Sequence, residues 1–253
     1  PLYSSAASDV YKRQTFKSSG IDPGGFAEYI RVSRLNVQLD VLRLPLGLSF
    51  EEATLIEPTA CAIRGMKRAG VRPGDRVLIL GAGVSGLLFT RLTRLWGANL
   101  VVVSDPVEYR LKKAVELGAD VVVNPATDDL GAVLDRLTEA IGADVVIVTV
   151  GKASVIEEAM RLAAKGATVL VYAPLPPGDE MAVDVCDLLF SEKSLVSTYS
   201  CSPDDTRFAL DLIGDRRIAT DTLVTHRFGL DEVGRAMRLA ASAGESLKVV
   251  IVP

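Results

Sequence analysis

The chain has 253 residues, of which 49% are hydrophobic and 24% are charged. This length suffices for one large domain or two modest ones, and the composition is ordinary for a globular protein. The formal net charge of -4 gives no reason to expect a nucleic-acid-binding surface. No apolar run reaches the roughly 18 residues of a membrane span and no secretory segment is visible, so the sequence favours a cytoplasmic protein.

The residues that most often bind metals are scarce. Three cysteines (Cys61, Cys186 and Cys201) are far apart in the sequence, and His226 is the single histidine. An odd number of scattered cysteines predicts no disulfide framework, as is typical of a reducing compartment. Because no C-x-x-C pair occurs, the spacing gives the chain few means of building its own zinc site.

Residues 1–14 have neither an apolar period nor turn signals. The run from Ser5 to Gln14 resembles a transposon-based sequencing adapter translated in frame. We therefore expect residues 1–14 to be an adapter-derived artefact and the reading frame to have been cut at its 5′ end. A natural flexible N-terminus is the alternative.

From Gly74 onward, short apolar strands alternate with helical periods. The sequence predicts strands over 76–80, 100–103, 120–123, 145–150, 168–172 and 195–199. Helices are predicted over 84–96, 106–118, 128–141 and 153–164, with Gly97 as a C-terminal cap and Pro106 opening the second helix. This order predicts an α/β fold with a doubly wound parallel sheet.

The two flanks of this region have a different pattern. Residues 15–60 carry glycine and proline turns with one short strand, 27–32. After the sheet region, Ser202 and Pro203 predict a capped helix. It is followed by a helix near 232–242 and a last strand over 247–252. We assign both flanks to one second domain that the sheet domain interrupts.

A glycine-rich turn carries the main functional signal. Gly81, Gly83 and Gly86 form a G-x-G-x-x-G run between the first strand and the first helix of the sheet domain, and Asp105 comes 19 residues after Gly86. Gly81 allows the tight turn, Gly83 lets a pyrophosphate approach, and Gly86 lets the helix pack closely on the strand. The helix N-terminus at Val84 and Ser85 offers free N–H groups to phosphates.

The acid after the turn indicates which dinucleotide is bound. Asp105, at the end of the second strand, can accept hydrogen bonds from both ribose hydroxyls and would repel a 2′-phosphate, which favours NAD over NADP. Arg110 either stacks on adenine or softens that repulsion. Thr149 and Val150 end the fourth strand and are expected on the nicotinamide side. The alternative is a glycine turn that only packs or that binds another nucleotide-like ligand.

Further segments fall into the order of a known family. They are 24–29 (GGFAEY), 46–53 (LGLSFEEA), Glu57-Pro58, 70–75 (GVRPGD), 117–120 (LGAD) and 247–250 (LKVV). With the glycine turn, this pattern resembles the medium-chain dehydrogenase/reductase superfamily. The match is to its zinc-dependent alcohol and polyol dehydrogenase branch, which is sorbitol or threonine dehydrogenase-like, and it covers nearly everything after Phe16.

The resemblance implies a Rossmann domain inserted in a GroES-like β domain. We expect residues 15–60 to be a remnant of the catalytic domain, 61–204 to be the NAD-binding domain, and 205–253 to complete the catalytic domain. The resemblance also implies that zinc polarises an alcohol whose hydride passes to NAD. Thr198, on the sixth strand, would lie near the nicotinamide, and homo-oligomers would form through that strand.

The zinc ligands and proton relay of the family precede the 24–29 motif and are not found in this sequence. We therefore expect an N-terminally truncated chain with no catalytic residue of its own. Glu57 alone maps onto a metal-associated position, since the polyol branch has an acidic residue before proline there.

The leading interpretation is thus a fragment of an NAD-linked dehydrogenase that oxidises a secondary alcohol or polyol to a ketone. The alternatives are a zinc-free quinone-type oxidoreductase of the same superfamily and a non-catalytic NAD-binding module.

Overall fold

The computed structural model describes residues 25–253 except 33, 40, 219 and 243, so the predicted adapter segment lies outside the described residues. Among the described residues, no helix is long and apolar enough to cross a bilayer. The helices are α1 Arg34–Leu39, α2 Phe50–Ala53, α3 Ile56–Ala69, α4 Val84–Leu95, α5 Glu108–Glu116, α6 Leu130–Thr138, α7 Ala153–Leu162, α8 Val185–Phe190, α9 Pro203–Gly214 and α10 Val233–Ala241. The strands are β1 Arg76–Leu80, β2 Leu100–Ser104, β3 Val121–Val123, β4 Ala143–Val148, β5 Ala163–Val171, β6 Ser194–Ser197, β7 Val224–Gly229 and β8 Lys248–Val252.

Six strands form one parallel sheet in the order β3-β2-β1-β4-β5-β6. This order confirms the doubly wound sheet predicted from the alternating strands and helices. The switch point lies between β1 and β4, where Leu80 is in register with both Ser104 and Val148. The carboxyl ends of the central strands therefore meet at one edge, where ligands bind in this class of sheet.

Both faces of the sheet are buried, which explains the continuous apolar runs in its strands. Alternate residues of β1 point to opposite faces: Val77 and Ile79 pack with helices α3, α4 and α9, whereas Leu78 and Leu80 pack with α6 and α7. Buried side chains of α9 belong to the first of these cores, so this helix packs on the sheet domain. The predicted domain boundaries stay a prediction.

Several sequence predictions about helix and strand limits are wrong. β4 ends at Val148 and β6 at Ser197, so Thr149, Val150 and Thr198 lie just beyond the strands in which they were predicted. Helix α5 begins at Glu108 rather than at Pro106, because the backbone N–H of Val107 donates to Asp105 Oδ1 (2.9 Å) and Val107 is extended. Residues 27–32 form bends and irregular backbone instead of a strand. A strand needs a hydrogen-bonded neighbour, and none of the described strands pairs with this segment.

The end of the chain forms a second, two-stranded sheet, and Val224 and Val250 on its strands belong to the same buried core as Val77 and Ile79. Strands β7 and β8 pair in parallel, and α10 connects them. Before it, Ser202 caps α9 through a capping box with Asp205, and Pro203 occupies the first turn, as the sequence predicted. Gly97 likewise has a φ of 87° just after α4, which confirms it as a C-terminal cap.

Candidate dinucleotide-binding site and an adjacent thiol–carboxylate cluster

The glycine turn joins β1 to α4, and its three glycines meet three different constraints. Gly81 has a φ of +99°, and a Cβ there would lie 2.5 Å from Thr149 Oγ1. A Cβ on Gly86 would lie 1.9 Å from the carbonyl oxygen of Gly81. A Cβ on Gly83 would meet no atom within 4 Å. Gly81 and Gly86 are therefore required by the protein itself, whereas Gly83 leaves open space in front of the backbone.

The open space faces the N-terminus of α4. Leu87 N–H donates to Gly83 O (2.9 Å), which is the first i→i−4 bond of the helix. The N–H groups before it, including those of Val84 and Ser85, have no acceptor within the helix and carry the positive end of its dipole. This arrangement is suited to an anion such as a pyrophosphate.

Asp105 fastens the turn to the end of β2. Its carboxylate is 5% exposed; Oδ2 accepts a hydrogen bond from Ala82 N–H (2.8 Å), and Oδ1 accepts one from Val107 N–H. Each carboxylate oxygen can accept further hydrogen bonds, so both remain able to bind hydroxyl groups. The structure therefore places the acid where the sequence predicted and adds a structural role.

Arg110 lies beside Asp105, with Nη1 4.0 Å from Oδ2. Nη2 donates to Ser246 O (3.4 Å), and Nε is buried without a hydrogen-bond partner among the described residues. An orphaned guanidinium donor next to the carboxylate fits a ligand that brings an acceptor to this position.

Thr149 and Val150, predicted to end the fourth strand, follow β4 and lie against the glycine turn. Thr149 Oγ1 donates to Leu80 O (2.9 Å) and is 3.2 Å from Gly81 O, and a Cβ on Gly81 would come within 2.7 Å of Val150 Cγ2. The Thr149 hydroxyl therefore supports the turn directly.

A cavity of about 400 Å³ opens at the carboxyl ends of β5 and β6. Thr198, Tyr199 and Tyr172 line it, and Thr198 Oγ1 is buried without a partner among the described residues. A second orphaned polar atom at the strand ends fits a polar ligand in the cavity, on the side where the sequence predicted the nicotinamide.

Tyr172 is a site residue that the sequence reasoning missed. Its ring packs edge-on against Phe89, with centroids 4.9 Å apart, and its hydroxyl is hydrogen-bonded to Ser85. Burial raises the pKa of the phenol to about 12, with the Cys61 thiol nearby adding to the effect. Tyr172 thus connects the start of α4 to the cavity. The available signal was its position at the end of the predicted fifth strand, 168–172.

Glu57, Cys61 and Cys201 come together beside this cavity. Their potential ligand atoms all lie within 4.8 Å of one another. Cys61 Sγ donates to Glu57 Oε1 (3.2 Å), one turn away on α3. The spacing of the cysteines in the sequence gave no sign of this cluster, because it forms only when folding brings Cys201 next to α3. Only the i, i+4 spacing of Glu57 and Cys61 was visible in the sequence.

Cys61 and Cys201 shift each other's acidity in opposite directions. The interaction with the Cys61 thiol lowers the pKa of Cys201 to about 7. The interaction with Cys201, together with burial and the Glu57 carboxylate, raises the pKa of Cys61. A carboxylate and two thiols are groups that zinc accepts as ligands, so the residues present fit that metal.

The strand order, the glycine turn and the acid after β2 define a Rossmann-type dinucleotide-binding domain. Comparison with known proteins narrows this class. The model of the zinc-binding dehydrogenase family matches residues 85–215, more than half of the chain. The chain therefore belongs to the zinc-binding dehydrogenase family, which confirms the resemblance drawn from the sequence.

Individual relatives agree with this assignment. The chain is 31% identical to an L-threonine 3-dehydrogenase of Symbiobacterium thermophilum, covering 94% of this chain and 66% of the relative. It is 29% identical to a sorbitol dehydrogenase of Halalkalibacterium halodurans, covering 91% and 66%. A zinc-binding dehydrogenase structure from Sinorhizobium meliloti bound to NADP superposes with a TM-score of 0.82 at 34% identity, covering 91% and 66%. The chain thus spans slightly less than two thirds of the length of these relatives.

Proposed function

We propose that this chain is the cofactor-binding part of an NAD-linked, zinc-dependent dehydrogenase that oxidises a secondary alcohol or polyol to a ketone. The observation that carries the proposal is the glycine turn, held open at Gly83 and fastened to β2 by Asp105. The named dehydrogenase relatives support the reaction class.

In this proposal, each part of the dinucleotide has a place along the sheet edge. The pyrophosphate lies over Gly83 at the N-terminus of α4, and the adenosine ribose meets Asp105. The nicotinamide occupies the cavity at the ends of β5 and β6, where the Thr198 hydroxyl gains a partner. Tyr172 and Ser85 lie between the pyrophosphate position and the nicotinamide cavity.

The choice between NAD and NADP depends on two opposing charges. The buried Asp105 carboxylate accepts ribose hydroxyls and repels a 2′-phosphate, which favours NAD. Arg110, 4.0 Å away, offsets part of that repulsion. The Sinorhizobium meliloti relative was solved with NADP. We propose NAD because the carboxylate is nearer to the turn and is held by two backbone N–H groups.

The catalytic zinc enters the proposal through Glu57. We propose that Glu57 helps to hold the metal in the intact parent, with other ligands from the family's N-terminal catalytic segment. A zinc ion held there would lower the pKa of an alcohol, and a bound dinucleotide would supply the hydride acceptor. This chain's own residues orient the cofactor, and we assign none of the described residues as an acid or base for the reacting carbon.

Two other parts of the proposal concern the assembly and its location. β6 is one of the two edge strands of the sheet among the described strands, and Leu195 on it is 36% exposed. We propose that two copies pair through this edge, which would cover its unpaired backbone groups. The scattered free cysteines agree with a cytoplasmic location.

Calorimetric titration of the chain with NAD and NADP tests the cofactor proposal. We expect NAD to bind at least about tenfold more tightly, equivalent to about 1.4 kcal/mol. Asp105→Asn should weaken NAD binding and bring the two affinities together. Asp135→Asn, at an exposed position on α6, makes the same charge change and should leave both affinities unaltered. Equal affinities in the unmodified chain would refute the NAD assignment, and no binding of either would refute the site.

Turnover measurements separate the alternatives. The chain should not turn over a panel of polyols, with or without added zinc, because Glu57 is the one described residue that we assign to the catalytic zinc. Longer sequence from the same source should carry a cysteine followed by His-Glu upstream. Their absence would favour a zinc-free quinone-type oxidoreductase. NAD binding without turnover in an extended chain would favour a cofactor-binding module.

A further inference from the structure

We propose that Glu57, Cys61 and Cys201 form a binding site for a thiophilic divalent metal ion such as Zn²⁺, with both cysteines bound as thiolates. The site shares Glu57 with the proposed function, but the two thiolates are a separate ligand set contained in this chain. Two thiolates and one carboxylate favour Zn²⁺ over Mg²⁺ or Ca²⁺, which prefer oxygen ligands.

The geometry is close to that of a bound state. In tetrahedral zinc sites with Zn–S near 2.3 Å and Zn–O near 2.1 Å, ligand atoms lie about 3.5–3.8 Å apart. The three ligand atoms here already lie within 4.8 Å of one another, and Cys61 Sγ is 3.2 Å from Glu57 Oε1. Side-chain rotations that move these ligand atoms by about an ångström would therefore suffice to surround an ion.

The backbone that carries the ligands is held in place by other contacts. Glu57 and Cys61 are on one face of α3, and Cys201 precedes the N-cap of α9. The two helices are joined by Asp205, which is 2% exposed and accepts a hydrogen bond from Lys67 Nζ (2.6 Å). The register between Cys61 and Cys201 thus depends on packing that exists without a metal.

The surroundings provide access and a neighbouring hydroxyl group. Glu57 is exposed, both cysteines are half-buried, and Cys61 lines the 400 Å³ cavity, which is open to a small ion and its water. Thr206 Oγ1 lies 3.7 Å from Cys201 Sγ and can hydrogen-bond the bound thiolate, as groups behind metal ligands commonly do. Three protein ligands plus one water would complete four-coordination.

Cobalt titration of the reduced full-length chain tests the site, because Co²⁺ bound to thiolates gives intense near-ultraviolet charge-transfer absorption. We expect one ion per chain, displaced by Zn²⁺. Cys61→Ser and Cys201→Ser should each abolish the charge-transfer band or weaken binding more than about 100-fold, which exceeds the loss expected for a residue that only hydrogen-bonds a metal ligand. Glu57→Gln should weaken binding and keep the band. Cys186→Ser, which removes the exposed thiol on α8, should bind as the unmodified chain does.

A second measurement needs no variant. Zn²⁺ should protect Cys61 and Cys201, but not Cys186, from alkylation, as read by peptide mass spectrometry. Absence of the band in the unmodified chain, or equal protection of all three cysteines, would overturn the proposal. A chain that binds metal but no dinucleotide would refute the proposed function alone. A chain that binds NAD but shows neither cobalt absorption nor protection would refute the metal site alone.

Discussion

Replacing single glycines of the turn should separate folding from cofactor binding. The Gly86→Ala change puts a methyl group 1.9 Å from the carbonyl oxygen of Gly81, a backbone atom that a rotamer change leaves in place. The Gly83→Ala change puts the same methyl group in open space. We expect the first substitution to destabilise the fold, and the second to leave stability intact while blocking the pyrophosphate.

The size of each effect follows from the local structure. Overpacking commonly costs about 1–3 kcal/mol, and a backbone clash at 1.9 Å belongs at or above the upper end. The higher helix propensity of alanine offsets up to about 1 kcal/mol of this cost. Gly86→Ala should therefore lower the free energy of unfolding by about 2 kcal/mol or more. That corresponds to about 4–8 °C in Tm for a domain of this size. Gly83 has a φ of -67°, which alanine adopts freely, so Gly83→Ala should change stability by less than about 1 kcal/mol.

Thermal unfolding monitored by circular dichroism would measure the Tm of each variant. Calorimetric titration with NAD would measure its affinity for the cofactor. Gly83→Ala should lose at least about tenfold in NAD affinity at nearly unchanged Tm. Gly86→Ala should lower Tm whether or not NAD is present. Equal Tm values for the two variants would refute the steric argument, and unaltered NAD affinity in Gly83→Ala would refute the placement of the pyrophosphate.

Three substitutions test the contacts that hold the sheet domain together. Asp144 forms a bidentate ion pair with Arg76, which lowers the pKa of the Asp144 carboxyl group. The Asp144 side chain is 34% exposed. Asp144→Asn should therefore remove about 1 kcal/mol above pH 4, a loss that vanishes as acid protonates the native carboxylate. Asp205→Asn should cost about 2 kcal/mol because it weakens the hydrogen bonds from Lys67 and Ser202. Ser202→Ala should cost about 1 kcal/mol through loss of the helix cap.

Chemical denaturation across a pH series measures all three. Asp135→Asn is the charge control for the two aspartate variants, and Ser154→Ala, at an exposed position on α7, is the control for the cap. If Asp144→Asn costs the same at pH 3 as at pH 7, the ion pair is not the source of the effect. If Ser154→Ala lowers the free energy of unfolding as much as Ser202→Ala does, loss of the helix cap is not the source of the Ser202→Ala effect.

The sheet domain was predictable because its signals are local. A strand–turn–helix unit with Gly81, Gly86 and Asp105 specifies its own geometry, and the structure gives each residue a steric or hydrogen-bonding reason. The end of α9 at Gly214 and its packing on α3 were harder to foresee, because they depend on contacts between distant segments.

The missed features share one physical cause: each depends on a partner that the sequence does not reveal. The segment 27–32 has strand-forming residues, but a strand forms only against a neighbour. Val107 delays α5 because its N–H is bound by Asp105. Cys201 meets Cys61 only after β6 and α9 have packed against α3.

The hydrogen bonds from Ala82 N–H to Asp105 and from the Thr149 hydroxyl to Leu80 also have an energetic consequence for the ligand. They fix the turn in its binding shape before any dinucleotide arrives. Ordering one residue of free backbone costs about 1–2 kcal/mol, so a flexible turn of three or four residues would weaken binding by several orders of magnitude. The fold bears that ordering cost during folding, and the affinity for the dinucleotide is correspondingly higher.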